Sequence, residues 1–268
     1  MTPIFKRIAV LTILLAGLTG CSTLGLDDFF SGETKDETEG WSAEKLYGEA
    51  KDSLDSEYYT RAIEYYEKFL ARFPFGVKAQ QAQLDLAYAY YKNDETESAL
   101  AACDRFIKLY PDHSHVAYAY YLKGRVHFNQ GKGLTEKYLP IDASQRDPEN
   151  ARLAFEDFSE LLKRYPKSRY VADAQQHLVH LRNRLAQHEV NVAHYYMRRG
   201  AYVAAANRAR YVIENYQGAK VMPEALVLMA KAYRVLSLDE LANDAVRVLE
   251  LNYPKHPGIK EVRSVRLR

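Results

Sequence analysis

The chain has little cysteine, little tryptophan and few segments that alternate between apolar and polar side chains. Two cysteines and one tryptophan occur among 268 residues, whereas tyrosine occurs 22 times. Runs of Val, Ile and Thr at period two are scarce, which argues against a β-sheet. With 47% hydrophobic and 27% charged residues, the chain can bury a core and resembles neither disordered nor collagenous sequences. We therefore predict an all-α protein.

Residues 1–20 have the pattern of a secretion signal. Lys6 and Arg7 precede an apolar run at 8–18 that is too short to span a membrane in the mature protein. The run ends in Leu-Thr-Gly-Cys, which resembles the site that lipoprotein signal peptidase cleaves. We expect a mature chain that begins at Cys21, with acyl chains on its sulfur and its amino group. The alternative is an uncleaved anchor with an incidental cysteine.

Cleavage would change the charge and the cysteine count. Without Lys6 and Arg7, basic and acidic side chains are equal in number, which argues against bulk nucleic-acid binding. Acylation of Cys21 leaves Cys103 alone, so no intrachain disulfide could form. Ser22 follows the lipidated position, where Asp is the usual inner-membrane retention signal. We therefore expect a lipid anchor on the periplasmic face of the outer membrane.

The two ends of the mature chain carry net charges of opposite sign. Residues 21–40 are polar and acidic without apolar periodicity, as in a flexible tether. Phe29 and Phe30 interrupt it, and they either dock on a partner or collapse near the membrane. Eleven acidic side chains lie between Asp27 and Glu57, whereas a basic tail at 255–268 carries five Lys and Arg. These ends either orient a partner or are simply solvated.

Between the ends, one helical pattern occurs five times. An aromatic residue followed by Pro marks four copies, at 73–74, 110–111, 165–166 and 253–254, and Tyr216-Gln217 marks the other. Proline ends a helix because it lacks an N–H and its ring clashes with the preceding turn. Fixed offsets from these markers hold alanine, which allows helices to approach closely, and large apolar residues, which fill the seam. The alanines are Ala62, Ala99, Ala154, Ala205 and Ala242 before the markers, and Ala82, Ala119, Ala174 and Ala225 after them; the seam residues are Phe69, Phe106, Leu161, Val212 and Leu249.

The marker spacings of 37, 55, 51 and 37 residues compare with the roughly 34-residue tetratricopeptide period. The first long spacing contains Gly and Pro at 131–150, which indicates an inserted loop. In the second long spacing, apolar residues recur at steps of three and four and so stay on one helical face. We therefore predict one helix from about Ser168 to Arg199. Its predicted face is Val171, Ala174, Leu178, Leu181, Leu185, His188, Val192 and Tyr195, with His188 packed or hydrogen-bonded instead of binding a ligand.

These patterns predict a right-handed α-solenoid of about five tetratricopeptide-like hairpins, or ten helices. The N-terminal repeats would occupy 41–145 and the C-terminal repeats 146–254. In this interpretation the helix before each marker is the first of its hairpin. Stacked hairpins create an extended concave surface, which the first helices would line. Such a surface binds peptides or protein segments.

The sequence offers little for catalysis, a metal or a cofactor, and we expect none of them. His113 and His115 lack further ligands nearby, and His177 and His180 do not form the HExxH order of zinc proteases. Ser, His and Asp occur without a nucleophile elbow. Cys103 occupies a core position of its repeat, so we expect a buried, inert thiol.

Two groups of residues are candidates for partner binding. The N-terminal group would form a peptide-facing pocket, because Tyr offers apolar area with a polar tip; it comprises Phe75, Tyr88, Tyr91, Lys92, Tyr121 and Arg125. The alternative is that these rings only pack the solenoid. The C-terminal group would bind a protein and comprises Arg198, Arg199, Tyr202, Asn207, Arg208 and Arg210. The helix dipole alone could account for Arg198 and Arg199, which lie at the C-terminal end of a helix that Gly200 stops. Arg208 and Arg210 lie on the next helix, where the dipole does not account for them.

Residues 72–93, 144–174 and 195–216 resemble the BamD (ComL) family, lipoproteins of the barrel-assembly machinery. The similarity includes Pro74-Phe75-Gly76, Arg146-Asp147-Pro148 and Arg199-Gly200-Ala201, and it covers the cleavage motif and most of 41–254. It implies a non-enzymatic scaffold whose C-terminal repeats hold the periplasmic domains of the barrel insertase (BamA-like). The N-terminal repeats would contact other lipoproteins of the complex and receive unfolded outer-membrane protein precursors. On this basis the turn at Phe73, Pro74, Phe75 and Gly76 belongs to the precursor or lipoprotein surface.

The leading hypothesis is therefore a subunit that assembles β-barrel proteins in the outer membrane. The first alternative is a lipoprotein adaptor that recruits periplasmic proteases or peptidoglycan enzymes through the same surface. A peptidoglycan-acting enzyme is the alternative from another class, and turnover lost in a single acidic-residue variant would support it.

Overall fold

The computed structural model describes residues 36–130 and 147–264, and every regular element in these ranges is a helix. The signal at 1–20, the lipidation site Cys21, the tether up to residue 35, most of the 131–150 loop and the last four residues lie outside them. The chain consists of two units, with the boundary after Ser42. The described part of the first unit, 36–42, is a turn in which Glu39 N–H donates to Asp36 O at 2.8 Å.

The second unit contains eleven helices within the described residues. They are α1 (Ala43–Asp55), α2 (Tyr59–Arg72), α3 (Val77–Lys92), α4 (Thr96–Leu109), α5 (Val116–Gln130), α6 (Glu149–Arg164), α7 (Val171–Arg198), α8 (Tyr202–Asn215), α9 (Met222–Val235), α10 (Asp239–Asn252) and α11 (Gly258–Ser264). Helices α1 to α10 pack mainly on their sequence neighbours, as expected of stacked hairpins. In the described ranges, none of these helices combines the length and the apolar character needed to cross a membrane.

The aromatic–Pro markers end helices through one repeated geometry. Phe73, Tyr110, Tyr165, Tyr216 and Tyr253 all cap a helix with φ between −122° and −137°. Each donates its backbone N–H to the carbonyl of the seam residue four positions earlier. Tyr216 adopts the geometry although Gln217 follows it, so the aromatic residue is the common part and Pro is not required. The prediction that Tyr216 fills the same position is confirmed.

The alanine pattern is confirmed in full. All nine alanines at the two fixed offsets have no exposed surface, and the five seam residues are at most 1% exposed. An alanine at such a position leaves space for the neighbouring helix backbone, and the seam residue fills the volume beside it. The repeat read from the sequence is therefore the packing unit of the molecule.

The pairing of helices into hairpins differs from the prediction. Turns of three residues join α1 to α2, α3 to α4, α7 to α8 and α9 to α10, and each contains one residue at positive φ: Glu57, Asp94, Gly200 or Ser237. The third residue of each turn donates its N–H to the carbonyl five positions earlier, as in a Schellman motif. Gly200 ends α7 as predicted. The aromatic–Pro markers thus separate hairpins, whereas the prediction placed them inside hairpins.

The corrected pairing of hairpins adds helix α1 at the start and leaves α11 as the last helix, outside any hairpin. The sequence reading left out α1, where Leu46, Ala50 and Leu54 are buried, so eleven helices replace the ten predicted. Helix α11, in the predicted basic tail, packs on α9 and α10 through Val262, which has no exposed surface. The salt bridge between Lys231 Nζ and Glu261 Oε2, at 2.6 Å, adds to this contact.

Helix α7 is the predicted long helix, but its buried face shifts along its length. Ala174, Leu181 and Leu185 are buried as expected. Beyond Leu185 the buried residues are Ala186, Val190 and Ala193, whereas Tyr195 is 46% exposed. A strict alternation of three and four residues departs from the 3.6-residue helical period, so the face rotates over 28 residues. The assignment of Tyr195 to the buried face was wrong.

Candidate binding surfaces

The first helices of the N-terminal hairpins form the floor of a groove. Helices α1, α3 and α5 contact one another across the stack, so they line its inner side. In the predicted pairing the lining helices were those before each marker, and this was wrong because the markers separate hairpins. The groove has a volume of about 450 Å³. Its walls include Lys51, Asp55, Glu57, Tyr59, Asp85, Tyr88, His115, Tyr118, Arg169 and Tyr170.

Asp85 is the anchor of the acidic wall. Its Oδ2 accepts hydrogen bonds from the phenol groups of Tyr47 at 3.1 Å and Tyr66 at 3.3 Å, and its Oδ1 accepts one from Gln81 at 2.9 Å. Burial, and then the nearby Asp85 carboxylate, raises the pKa of Tyr47 to about 12. Both phenols therefore donate to Asp85 at neutral pH and fix the carboxylate in the groove wall. Asp55 lies beside it and pairs with Lys51 at 2.7 Å.

The part of the groove lining that comes from the connection before α7 is basic and aromatic. Arg169 lies over the ring of Tyr170 with its guanidinium carbon 4.9 Å from the ring centroid, and its Nη2 donates to the Tyr170 hydroxyl at 2.7 Å. His115, Arg169 and Tyr170 also line a second cavity of about 700 Å³, together with Arg164 and Lys167. A peptide bound in the groove would meet both carboxylates and cations, and charge complementarity of this kind contributes to specificity.

Of the predicted N-terminal residues, only Tyr88 lines the main groove. Tyr91 and Lys92 line a smaller neighbouring cleft, and Lys92 lies over the Tyr59 ring at 5.4 Å. Tyr91 accepts hydrogen bonds from Asn129 and from Arg125 Nη2, the latter at 3.5 Å. The structure thus divides the predicted pocket into a groove and a cleft.

Tyr121 and Arg125 are held by internal contacts. Arg125 Nη1 donates to the Tyr121 hydroxyl at 2.8 Å, and that hydroxyl donates to Asp173 Oδ2 at 2.6 Å. The Tyr121 ring stacks on Tyr170 with centroids 4.8 Å apart and an interplanar angle of 17°. These contacts join α5 to the start of α7. The packing alternative accounts for these contacts, and the role of Tyr121 and Arg125 in partner binding stays a prediction.

The turn at Phe73 to Gly76 is far from these tyrosines. Phe75 precedes Tyr91 by 16 residues along α3, which corresponds to roughly 24 Å at 1.5 Å per residue. Phe75 is 90% exposed, whereas Phe73 is half-buried with its ring 5.6 Å from Phe69. Phe75 therefore belongs to a separate surface and not to one pocket with Tyr91 and Arg125.

Several C-terminal candidates hold the hairpins together. Arg208 Nη1 pairs with Glu189 Oε2 on α7 at 3.0 Å, and the Glu189 side chain is only 12% exposed. Arg210 Nη2 donates to the Tyr233 hydroxyl on α9 at 2.8 Å. Tyr202 packs against a core cluster formed by α8, α9 and α10. These three residues thus tie α8 to both of its neighbours.

Arg198, Arg199 and Asn207 remain on the outer surface. Arg199 donates to the Tyr195 hydroxyl at 3.2 Å and lies over that ring at 5.5 Å. Val203 is 60% exposed and Tyr211 is 41% exposed, so apolar area accompanies the arginines. The sequence reading missed Tyr195, Val203 and Tyr211. The helical period places Val203, Asn207 and Tyr211 at steps of four, and that signal could have identified this face.

Cys103 and His177 both pack against neighbouring side chains in the described residues. Cys103 has no exposed surface, and burial raises the pKa of its thiol, in agreement with the predicted inert cysteine. His177 stacks on Phe158 with an interplanar angle of 8°. Across 36–130 and 147–264, no group of three or more His, Cys, Asp or Glu side chains could hold a metal ion.

Comparisons with known proteins give a consistent result along nearly the whole chain. The model of the YfiO family, described as outer membrane lipoprotein, matches residues 40–249. The outer membrane protein assembly factor BamD of Neisseria meningitidis serogroup B is 46% identical over 96% of this chain and 94% of its own length. BamD of Xylella fastidiosa (strain Temecula1) is 36% identical over 96% of this chain and 86% of its own. Among solved structures, the P58(IPK) TPR domain is similar at 18% identity over 82% of this chain and 54% of its own length, with a TM-score of 0.41.

Proposed function

The chain belongs to the YfiO family of outer membrane lipoproteins, and from this membership we propose that it is a non-catalytic scaffold for outer-membrane protein assembly. The observation that carries the proposal is the near full-length similarity to curated assembly factors. The buried alanines and the helix stops account for a rigid stack of hairpins with surfaces on its helices. A scaffold of this type acts by binding and positioning other polypeptides.

In this proposal the N-terminal groove receives unfolded outer-membrane protein precursors. Tyr59, Tyr88, Tyr118 and Tyr170 supply apolar area with polar tips along its walls. Asp85 and Arg169 both line the groove, and Arg169 would pair with acidic or backbone carbonyl groups of an extended segment. Since an unfolded precursor presents both aromatic side chains and unpaired backbone groups, this mixed lining suits it.

The C-terminal surface would bind the periplasmic domains of the barrel insertase. Arg198 and Arg199 supply charge, while Tyr195 and Val203 supply exposed apolar area beside them. Arginine and tyrosine are enriched at the energetically important positions of protein interfaces. Other lipoproteins of the complex would bind the N-terminal repeats beside the groove.

An acyl anchor at Cys21 would hold the scaffold at the periplasmic face of the outer membrane. The predicted tether raises the effective concentration of both binding surfaces near the insertase without adding a contact. Mass spectrometry of the mature protein tests this part directly. The expected mass includes acyl groups on residue 21, and a mature chain that keeps residues 1–20 would contradict it.

The two surfaces can be tested separately with charge-reversal variants of the full chain. Arg198→Glu should reduce recovery of the insertase when the scaffold is purified from outer membranes, while precursor crosslinking to the groove is retained. Lys163→Glu, at an exposed position of α6, is the matched control and should change neither. Arg208→Glu is unsuitable because it would place a carboxylate against Glu189 and lower the stability of the fold.

The groove is tested by Tyr88→Ala together with Arg169→Glu. These changes should reduce crosslinking to precursors and leave insertase recovery unchanged. Recovery of proteases or peptidoglycan enzymes without the insertase would instead support the adaptor hypothesis. Equal loss of both partners in the Arg198 and Tyr88 variants would contradict the assignment of two surfaces.

A further inference from the structure

The connections between successive hairpins share one helix stop but differ in the polarity of the residues that follow it. Four of them carry Pro-Asp-His-Ser at 111–114, Pro-Lys-Ser-Arg at 166–169, Gln-Gly-Ala-Lys at 217–220 and Pro-Lys-His-Pro at 254–257. The first connection carries Pro-Phe-Gly-Val at 74–77. Since the same helix stop forms with polar tips at four positions, the fold does not require apolar residues at the first one.

The apolar residues of the first connection point away from the protein. Phe75 is 90% exposed and Val77 is 80% exposed, which are the largest exposed fractions of large apolar side chains in the described ranges. Phe73 turns inward and packs on Phe69, so the turn has an interior aromatic side and an exterior one. Gly76 has φ +100°, a conformation that other residues rarely adopt. The turn therefore exposes Phe75 and Val77 to the surroundings of the protein.

The same turn lies beside the start of the helical unit. Lys78 Nζ contacts Glu44 Oε1 at 3.0 Å, which places the first turn of α3 against the first turn of α1. Helix α1 begins at Ala43, 22 residues after the expected lipidation site Cys21. Even fully extended, a chain of 22 residues spans no more than about 80 Å. An acyl anchor would therefore hold this end of the unit within that distance of the bilayer.

We propose that the Phe75–Val77 tip inserts into the lipid surface to which the chain is anchored. Aromatic side chains are favoured at the membrane–water interface, and exposed apolar side chains at a turn can enter it without disturbing the helices. The acyl chains hold the protein at the membrane, and the inserted tip then limits how the groove can turn relative to it. The inference rests on the lipid anchor of the proposed function.

Fluorescence of the lipidated full chain tests the insertion. In a Trp41→Phe background, which removes the natural tryptophan, one variant carries Phe75→Trp and the matched control carries Lys167→Trp in the corresponding polar connection. Both are reconstituted with vesicles of phosphatidylethanolamine and phosphatidylglycerol that contain brominated acyl chains. We expect the Phe75→Trp emission to shift to shorter wavelength and to be quenched by the brominated lipid. The control should show neither effect.

The outcomes separate this inference from the proposed function. Equal exposure of both tryptophans to aqueous iodide in the presence of vesicles would overturn the insertion. Shielding of the Phe75→Trp probe by insertase domains or an unfolded precursor without lipid would also overturn it, because the tip would then be a protein contact. Lipid quenching confined to the Phe75→Trp probe would support it, even if the chain failed to restore barrel assembly in depleted cells. Circular dichroism confirms that both variants keep their helices.

Discussion

Gly124 provides a sharp test of the helix packing, because it lies directly against the Phe158 ring of α6. A Cβ atom added at Gly124 would lie 2.6, 2.7 and 2.9 Å from three ring atoms of Phe158. The Phe158 ring has no exposed surface and stacks on His177 at a centroid distance of 5.1 Å, so it has little room to move. We therefore expect Gly124→Ala to force α5 and α6 apart or to displace the ring.

The size of the effect follows from two opposing contributions. Alanine favours a helix interior over glycine by about 1 kcal/mol. An additional carbon in a closely packed core costs about 1–3 kcal/mol, and contacts below 3 Å with three buried atoms place this site at the upper end. The expected net loss in the free energy of unfolding is about 1–2 kcal/mol. For a unit of this size, that corresponds to a fall in Tm of roughly 3–6 °C.

Gly48 in α1 is the matched control, because a Cβ added there meets no atom within 4 Å. Gly48→Ala should raise the free energy of unfolding by about 0.5–1 kcal/mol through helix propensity alone. Thermal and urea unfolding followed by circular dichroism compare both variants with the parent. Stabilisation of similar size by both alanines would refute the close approach of α5 and α6 at Phe158.

Further predictions concern the turn residue Ser237, the Cys103 thiol and the half-buried Tyr47 phenol. Ser237 has φ +59°, so Ser237→Gly should raise the free energy of unfolding by about 1 kcal/mol in urea titrations, whereas Ser98→Gly within α4 should lower it. Cys103 should react with iodoacetamide only after unfolding, as read by mass spectrometry; rapid labelling of the native chain would contradict its burial. Burial and Asp85 raise the pKa of Tyr47 from 10 to about 12, so its contribution to stability is complete below pH 10 and is lost as the pH rises towards 12. Tyr47→Phe should flatten the fall in unfolding free energy across that window, and an unchanged slope would argue against the hydrogen bond to Asp85.

Local patterns in the sequence predicted the packing unit because it repeats. Alanines and helix stops at fixed offsets report contacts between chain neighbours, so one sequence contains several copies of the same signal. The pairing of hairpins was not accessible from those offsets, since a helix contacts both the preceding and the following one. The turns at Glu57, Asp94 and Ser237, which have positive φ, determine which helices form hairpins. These residue types do not predict a left-handed conformation.

The binding surfaces were less predictable because they depend on side-chain partners across helices. Tyr121 finds Asp173, 52 residues away, and Arg208 finds Glu189 on another helix. These pairings turn candidate contact residues into internal contacts, and nothing in local spacing reports them. The groove residues Asp55 and Asp85 come from different hairpins, and α1 was absent from the predicted repeat. Only Tyr88 carried a local signal, as a tyrosine on the correct face of α3.

Photocrosslinking in cells tests the two-surface scaffold most directly. A photoreactive residue at Tyr88 probes the groove, and one at Arg198 probes the C-terminal surface of the same chain. The account predicts crosslinks from position 88 to newly secreted outer-membrane precursors and from position 198 to the barrel insertase. Precursor crosslinks from both positions, or insertase crosslinks from position 88 alone, would contradict it.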